Sequence, residues 1–540
     1  MSDSLEILAT GAAAEAVSSQ VPRLVEESFA SRLFAQDATL WGPEAEEEAS
    51  KRLAWVGLPR SSRPLVGEIE AVRSELAEQG VDRVVLCGMG GSSLAPEVVC
   101  ATYGVDLTVL DSSHPDQVRA ALAGRLERTT VVVSSKSGST VETDSQRRAF
   151  EAAFTDAGID PTGRIVVVTD PGSPLDKEAR SAGFRVVNAD PDVGGRYSAL
   201  TAFGLVPCGL AGADIGQLLD EAELVSDLLA ADDEANPGLR LGAAMAGTSP
   251  LRDKLVIVDE GSGLSGFAAW AEQLVAESTG KDGTGLLPVV VDGPEDPEVR
   301  WPAADVTVVH LVGDADDESP SEDGPGSAVR VAGSLGAQLL MWEVATSVAG
   351  RLLGINPFDQ PDVESAKKAA RSMLEDAAPA SPPAFSDGPV DVRALGGDWL
   401  GDATTLAGAV ARLLDQLDPE RGYLAVMAYL DRIAHPDLES VRRPLAMRCE
   451  RPVTFGWGPR FLHSTGQLHK GGPPVGVFLQ VTDEPDDELA VPGKEYTFGT
   501  LVAAQAAGDA QVLADLGRPV LRVHLREREA GIAALRSALS

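Results

Sequence analysis

Two short clusters of glycine and hydroxyl residues could bind an anion. The first, Gly88-Met89-Gly90-Gly91-Ser92-Ser93, follows the apolar run RVVLC, and the second, SSKSGST from Ser134 to Thr140, follows TTVVV. Glycine lets the backbone approach an anion, and a helix that starts after such a turn adds free N–H groups and a partial positive charge. Both clusters therefore predict phosphate binding. The expected contacts are Gly91, Ser92, Ser135, the backbone of Lys136, Ser137 and Thr140.

Other interpretations of the two clusters stay open. A dinucleotide-binding turn is the main alternative for the first, but Ser93 stands where the G-x-G-x-x-G pattern has its third glycine, and Asp111 is only an arguable ribose-binding acid. A tight turn without a ligand is another alternative. The second cluster lacks the order G-x-x-x-x-G-K-[ST] and so does not indicate a nucleoside triphosphate, although it could be a serine-rich helix cap.

Taken together, the two clusters resemble the sugar isomerase domain, a doubly wound module that binds phosphosugars at the C-terminal ends of its strands. Three later segments are similar to glucose-6-phosphate isomerases within that superfamily. They are GGRYSALTAFGL from Gly194, AEQLVAESTGK from Ala271, and GINPFDQPDVESAKKAARSML from Gly354.

This resemblance implies the roles of two charged residues. Glu277 would be the base that moves a proton between C1 and C2 of the sugar, and Arg196 would stabilise the negative charge of the enediolate. Gln273 lies four residues before Glu277 and therefore on the same helix face. Without the resemblance, Glu277 would be interpreted as an exposed helix residue and Arg196 as a member of a surface ion pair.

The resemblance also implies that Gln360 lies near the phosphate and that Lys367 contacts the ring oxygen and hydroxyls. Lys367 has a plain alternative, because Glu364 lies three residues before it and the two could form a solvated ion pair on a helix.

One residue of the family pattern is missing. Related isomerases have a histidine for ring opening, in a sequence like G-T-N-x-Q-H, whereas this chain has DGPEDPEVRWPAADVTVV, and His310 further on is expected to be structural. Ring opening must then use another group or occur spontaneously. A polar, glycine-rich loop from Arg460 to Pro473 offers replacements, and we expect His463 or His469 to open the ring. Lys470 could contact phosphate or a hydroxyl, or the whole segment could be a structural loop.

The Arg460–Pro473 segment looks like the C-terminal region of isomerases related to transaldolase–glucose-6-phosphate isomerase fusions, although no complete transaldolase barrel fits in this chain. The resemblance as a whole implies reversible isomerisation of glucose 6-phosphate and fructose 6-phosphate, as in glycolysis and gluconeogenesis, without a metal or redox cofactor. The alternatives are a dual phosphoglucose/phosphomannose isomerase and a non-catalytic phosphosugar-binding or sensing protein. A homodimer is expected by family analogy.

The elements that position these residues are predicted to be α/β. Residues 1–80 read as amphipathic helices, and apolar strands alternating with helices predict two doubly wound parallel-sheet sugar isomerase domains, 81–235 and 236–376. An acidic loop precedes the last helices of the second domain, and 377–389 (AAPASPPAFSDGP) is a predicted linker. A C-terminal α/β extension, 390–540, is either a third piece or part of the second sheet.

Composition excludes several classes of function. The formal net charge of −37 argues against nucleic acid as a partner, because binding it requires a basic surface. A sugar phosphate would be repelled at long range as well, so its site must supply local donors. The four cysteines lack metal-ligand spacing, which favours a cytoplasmic setting. We expect no signal peptide and no membrane span, because the apolar run 335–354 contains Gln338, Glu343 and Arg351.

Overall fold

The computed structural model describes residues 5–314, 326–362, 373–374 and 382–539, and its strands form three separate sheets. The strands are β1 Glu6–Thr10, β2 Arg83–Gly88, β3 Thr108–Leu110, β4 Thr129–Ser134, β5 Ile165–Thr169, β6 Arg185–Asn188, β7 Lys254–Glu260, β8 Leu287–Val291, β9 Val306–Val312, β10 Ser327–Ala332, β11 Phe385–Asp387, β12 Val390–Leu395, β13 Tyr423–Tyr429, β14 Val453–Trp457, β15 Gly476–Asp483 and β16 Val520–Leu525.

Helices cover the sheets and connect their strands. The α-helices are α1 Gly11–Glu26, α2 Phe29–Phe34, α3 Glu46–Ala49, α4 Leu58–Ser61, α5 Pro64–Glu78, α6 Leu94–Tyr103, α7 Pro115–Leu122, α8 Val141–Asp156, α9 Pro174–Ala182, α10 Ala202–Ala211, α11 Ile215–Leu229, α12 Pro237–Ala246, α13 Phe267–Thr279, α14 Pro297–Arg300, α15 Leu335–Leu353, α16 Leu406–Leu414, α17 Arg442–Cys449, α18 Gly466–Gly471, α19 Phe498–Asp515 and α20 Arg528–Leu539. In the part of the chain that the structure describes, none of them is long and apolar enough to cross a membrane.

The first sheet has the parallel order β3-β2-β4-β5-β6. Its middle strands are buried on both faces because nearly every position carries an apolar side chain, as in Val131, Val132 and Val133. The strand order reverses between β2 and β4, and a doubly wound sheet binds its ligands at such a point, beyond the carboxyl ends of the strands. The two predicted phosphate clusters directly follow these two strands.

The second sheet has the order β1-β10-β9-β7-β8, in which the last four strands are parallel. Two of its strands were missed by the sequence analysis. The N-terminal segment is not purely helical, because β1 pairs antiparallel with β10 at the sheet edge. Short strands such as EILAT and SAVRVA carry too little pattern to be recognised before their pairing partner is known.

The C-terminal extension is a third module with its own sheet, in the order β11-β12-β16-β15-β13-β14. Strands β13 to β16 are parallel, and β12 and β11 continue the sheet antiparallel. The predicted linker is wrong in its second half, since 385–387 form β11; its residues 377–381 lie outside the described residues. The overall prediction of two doubly wound parallel-sheet domains with a C-terminal α/β extension is confirmed.

The third module packs against both of the others. Met427 and Phe478 from its sheet share one hydrophobic cluster with Val256 and Val308 from the second sheet. Phe498 joins the core around the first sheet. A buried Arg442 also pairs with carboxylates next to β8, so the third module is fixed to the rest of the chain by apolar packing and by charge.

Candidate active site

The two phosphate clusters lie side by side, because β2 and β4 pair in parallel. The first forms a single 3-10 turn, Gly90–Ser92, before α6. Gly90 has a φ of +57°, and a Cβ there would lie 2.8 Å from the His463 carbonyl oxygen, so only glycine suits the position. Ser92 is partly exposed at the end of the turn.

The second cluster forms the loop that leads into α8. Ser135 Oγ accepts a hydrogen bond from the Gly138 N–H (3.1 Å), and Ser137 Oγ accepts one from the Ser139 N–H (3.2 Å). Ser135 Oγ also donates to Thr140 Oγ1 at 3.4 Å, and Ser137 Oγ lies 2.7 Å from Ser139 Oγ, so the hydroxyls of this loop form a connected set of donors and acceptors. Thr140 precedes α8 without a side-chain cap, so the helix presents unpaired N–H groups at this point. The geometry suits an anion.

The side chain of Lys136 is engaged elsewhere. Its amine lies 2.7 Å from the Asp170 carboxylate and donates to the Pro191 carbonyl oxygen at 3.2 Å. The phosphate contact predicted for Lys136 is through its backbone and does not involve this amine.

Close contact between glycines joins the first phosphate turn to the turn that carries Arg196. A Cβ on Gly91 would lie 2.0 Å from the Gly195 carbonyl oxygen, far inside van der Waals contact. The two turns can meet only because residue 91 lacks a side chain.

Arg196 is buried and holds several groups at once. Its guanidinium donates to Ser278 Oγ at 2.8 Å and to Gln360 Oε1 at 2.7 Å. It also donates to the Pro357 carbonyl oxygen at 2.7 Å, and its Nη1 lies 3.3 Å from Glu277 Oε1. Arg196 is therefore not the surface ion pair of the alternative interpretation.

Glu277 is held on both carboxylate oxygens. Oε1 faces Arg196, and Oε2 accepts a hydrogen bond from Gln273 Nε2 at 3.0 Å, as expected for two residues on one face of α13. The side chain is 13% exposed, so it is shielded but reachable. A fixed, partly exposed carboxylate of this kind can act as a general base.

Lys281 is a site residue to which the sequence analysis gave no role. Its amine donates to the carbonyl oxygens of Asn356 (2.8 Å) and Asp359 (2.6 Å) and to the Asp359 carboxylate. Burial lowers the pKa of Lys281 to about 8, and the nearby positive charge of Arg196 adds to this shift. Together with Arg196 it fixes the turn that precedes Gln360. Its place at the end of AEQLVAESTGK was the available signal.

His463 reaches this site from the third module. It ends a 3-10 helix, Arg460–His463, rather than lying in the predicted loop. Its carbonyl oxygen accepts a hydrogen bond from Gln273 Nε2 at 2.7 Å, and its ring Nε2 lies 2.9 Å from Glu142 Oε1. The side-chain amide of Gln273 thus connects the backbone of His463 with the Glu277 carboxylate.

Glu142 lies in the first turn of α8, and no role was predicted for it from the sequence. Burial would raise the pKa of its carboxyl, but the charge of His463 and hydrogen bonds from His463 and Gln505 outweigh burial and lower the pKa. Gln505 Nε2 donates to the same carboxylate oxygen at 2.6 Å. A residue 321 positions away in sequence cannot be recognised as a partner from spacing alone.

His469 and Lys470 do not belong with His463. His469 Nδ1 lies 3.0 Å from the Tyr423 hydroxyl inside the third module, and burial lowers its pKa to about 3. Lys470 donates to Asp509 Oδ1 at 2.6 Å, with both side chains almost fully buried. Of the two alternatives for this segment, a ligand contact by Lys470 or a structural role, the buried pair with Asp509 favours the structural one, and the segment is helical rather than a loop.

The remaining expected residues have mixed outcomes. Gln360 lies against Arg196, and Lys367 lies outside the described residues. Asp111, required by the dinucleotide alternative, pairs instead with Arg460 at 2.8 Å. His310 lies in β9, partly buried, with Nδ1 3.1 Å from Glu260 Oε1. Within the described ranges, no group of His, Cys, Asp and Glu is arranged to hold a metal ion.

Comparison with solved structures supports the fold. A hypothetical protein from Thermus thermophilus matches with a TM-score of 0.57 and 26% identity, over 69% of this chain and 100% of that chain. A glucose-6-phosphate isomerase from Chlamydia trachomatis matches with a TM-score of 0.50 and 20% identity, over 64% of this chain and 78% of the other.

Comparison with curated proteins finds relatives that are named glucose-6-phosphate isomerase or probable glucose-6-phosphate isomerase. A glucose-6-phosphate isomerase from Rubrobacter xylanophilus is 32% identical over 418 residues, covering 62% of this chain and 95% of the relative. A probable glucose-6-phosphate isomerase from Haloarcula marismortui is 31% identical over 340 residues, covering 54% and 78%. No family model matches the chain. The extent of the Rubrobacter match shows that the chain belongs to the glucose-6-phosphate isomerase family.

Proposed function

We propose that this chain interconverts glucose 6-phosphate and fructose 6-phosphate through a cis-enediolate, with Glu277 moving the proton between C2 and C1. The observation that carries the proposal is the Glu277 carboxylate held between Gln273 and Arg196 in a member of this family. A base that must take a proton from one carbon and return it to the next has to be fixed relative to both. Arg196 offsets the negative charge of the enediolate from the same side.

The phosphate is held between the two clusters in this proposal. Ser92, the hydroxyls of Ser135, Ser137 and Thr140, and the backbone at Lys136 contact it, and the start of α8 adds N–H groups. These local donors overcome the repulsion expected from the net charge of −37. Gln360 and Lys367 contact the sugar and its phosphate as the family pattern implies.

His463 opens the sugar ring in this proposal. Ring opening requires one proton to leave the hydroxyl on C1 and another to reach the ring oxygen. Glu142 Oε1 lies 2.9 Å from Nε2 and orients the ring, which leaves Nδ1 to exchange protons with the sugar. Substituting His463 should then slow conversion of a cyclic substrate far more than that of an analogue lacking the hydroxyls at C4 and C5, which cannot close a ring. Equal losses on both substrates would refute this role.

The test of the function compares two glutamates on α13. Purified protein should convert fructose 6-phosphate to glucose 6-phosphate, and Glu277→Gln should lower kcat by about 10²–10⁴. Glu272→Gln is the matched control: burial raises the pKa of Glu272 to about 8, so glutamine resembles the form present at pH 7 and activity should persist.

Two further outcomes separate the alternatives. Turnover of mannose 6-phosphate at a similar rate would indicate a dual phosphoglucose/phosphomannose isomerase. Binding of fructose 6-phosphate without turnover by the unmodified protein would indicate a sensing protein and refute the proposal. A homodimer, a cytoplasmic setting and a relation to transaldolase fusions stay predictions.

A further inference from the structure

Four charged side chains form a closed ring between the first and third modules. Arg460 pairs with Asp111 Oδ2 at 2.8 Å and with Glu97 Oε2. Arg432 pairs with the other oxygens of the same two acids, at 3.0 Å to Glu97 Oε1 and 3.3 Å to Asp111 Oδ1. We call these four residues the charge ring. The two arginines hold the pKa of Glu97 down, to about 2, against the effect of its burial.

The charge ring lies beside the place where the third module would bind a ligand. The strand order of its parallel part reverses between β13 and β15; Arg432 follows β13 and Asp483 ends β15, while Arg460 follows β14, the neighbour of β13 on the other side. A doubly wound sheet offers its binding crevice at such a point. In this chain, the segment after β3 fills it: Asp111 reaches both arginines, and His114 Nε2 lies 3.1 Å from Asp483 Oδ1 at the end of β15. The crevice therefore serves to dock the first module.

The docking contact lies one helical turn from His463. Arg460 begins the 3-10 helix that His463 ends, and Gln273 holds the far end of the helix through the His463 carbonyl oxygen. On the other side of the ring, Glu97 is in the first turn of α6, directly after the Gly90–Ser92 turn. The charge ring thus connects the turn expected to bind phosphate to the helix that carries His463.

We propose that Arg460 is a positioning residue for ring opening: through Glu97 and Asp111 it sets the distance between His463 and the bound sugar. This inference rests on the proposed role of His463. A guanidinium is needed because it holds two carboxylates in fixed directions, which an ammonium cannot do. Misplacement of a reacting group by about 1 Å costs roughly 100-fold in rate.

The experiment compares Arg460→Lys with a buried arginine that has no link to His463. Arg442→Gln is this control, since Arg442 belongs to the same module and pairs with Asp296 and Glu298 of the second. Two rates are measured for each variant: exchange between the α and β anomers of glucose 6-phosphate, by exchange NMR, and isomerisation of the analogue without hydroxyls at C4 and C5. Asp111→Asn repeats the test from the other side of the ring if Arg460→Lys folds poorly.

We expect Arg460→Lys to slow anomer exchange about 10–100-fold and isomerisation of the open-chain analogue less than about 3-fold. Arg442→Gln should lower the melting temperature and leave the ratio of the two rates unchanged. The inference is overturned if Arg460→Lys and Asp111→Asn keep the wild-type ratio, or if Arg442→Gln changes it equally. If His463→Gln also keeps the wild-type ratio, the proposed role of His463 fails with it; if only His463→Gln changes the ratio, the charge ring alone is refuted.

Discussion

A methyl group added at Gly91 should separate the two turns that form the site. The Cβ of Gly91→Ala would lie 2.0 Å from the Gly195 carbonyl oxygen and 2.5 Å from its carbonyl carbon. Ordinary contact begins near 3.4 Å, so the turns must move apart by about 1.4 Å. The obstructing atoms belong to the backbone and cannot rotate away. Arg196 directly follows Gly195 in the chain, so the movement would carry Arg196 away from Glu277.

The expected cost follows from that displacement. A shift of about 1 Å in a reacting group lowers the rate roughly 100-fold, and overpacking costs about 1–3 kcal/mol of stability. Gly91→Ala should therefore lower kcat/KM for fructose 6-phosphate about 100-fold while the protein stays folded. The measurements are a coupled assay for glucose 6-phosphate and urea unfolding.

Gly195→Ala is the matched control for this prediction. It adds the same atom on the other side of the same contact, but its Cβ would have nothing within 4 Å. We expect activity within a few-fold of the wild type. The reasoning is refuted if Gly91→Ala is as active as Gly195→Ala, or if both variants lose activity equally.

Two predictions concern buried titratable side chains outside the site. Both oxygens of Glu343 lack a hydrogen-bond partner among the described residues, and burial raises its pKa well above the ordinary 4.5. The carboxyl then stays protonated when folded but ionises when unfolded, so stability falls by up to about 1.4 kcal/mol per pH unit above 4.5 until the folded pKa is reached. Glu343→Gln should remove this dependence in urea unfolding at pH 5 and pH 8; an unchanged dependence would contradict it. Lys470→Met should cost about 3–5 kcal/mol because it leaves Asp509 charged and buried, and Asp509→Leu should restore most of that loss. If the double variant is no more stable than Lys470→Met in urea unfolding, the unpaired Asp509 carboxylate is not the cause of the lost stability.

The sequence predicts the parts of the fold and the site that are local. Strands β2 and β4 are continuous apolar runs, and each is followed by glycine and hydroxyl residues, so their position and their parallel pairing could be predicted together. The helix Phe267–Thr279 carries Gln273 and Glu277 on one face, as their four-residue spacing predicts. These features depend on residues close to one another in the chain.

Contacts between distant segments could not be predicted in this way. From the sequence, Asp111 could be interpreted only as a possible ribose-binding acid. Its actual partner, Arg460, lies 349 residues later and could not be recognised from spacing. The helix that contains His469 and Lys470 was predicted as a loop, because glycines and a proline interrupt its short pattern. The role of β1 as an edge strand depends on β10, which follows more than 300 residues later in the chain.

The central claim is that Glu277 carries the proton between C2 and C1. The most direct measurement is isomerisation of glucose 6-phosphate in D₂O, with deuterium at C1 of the fructose 6-phosphate product followed by NMR. The account predicts that the wild type incorporates deuterium at C1, and that Glu277→Gln loses this exchange by about 10²–10⁴ while still binding fructose 6-phosphate and exchanging the anomers of glucose 6-phosphate. Deuterium incorporation by Glu277→Gln at the wild-type rate would contradict the account.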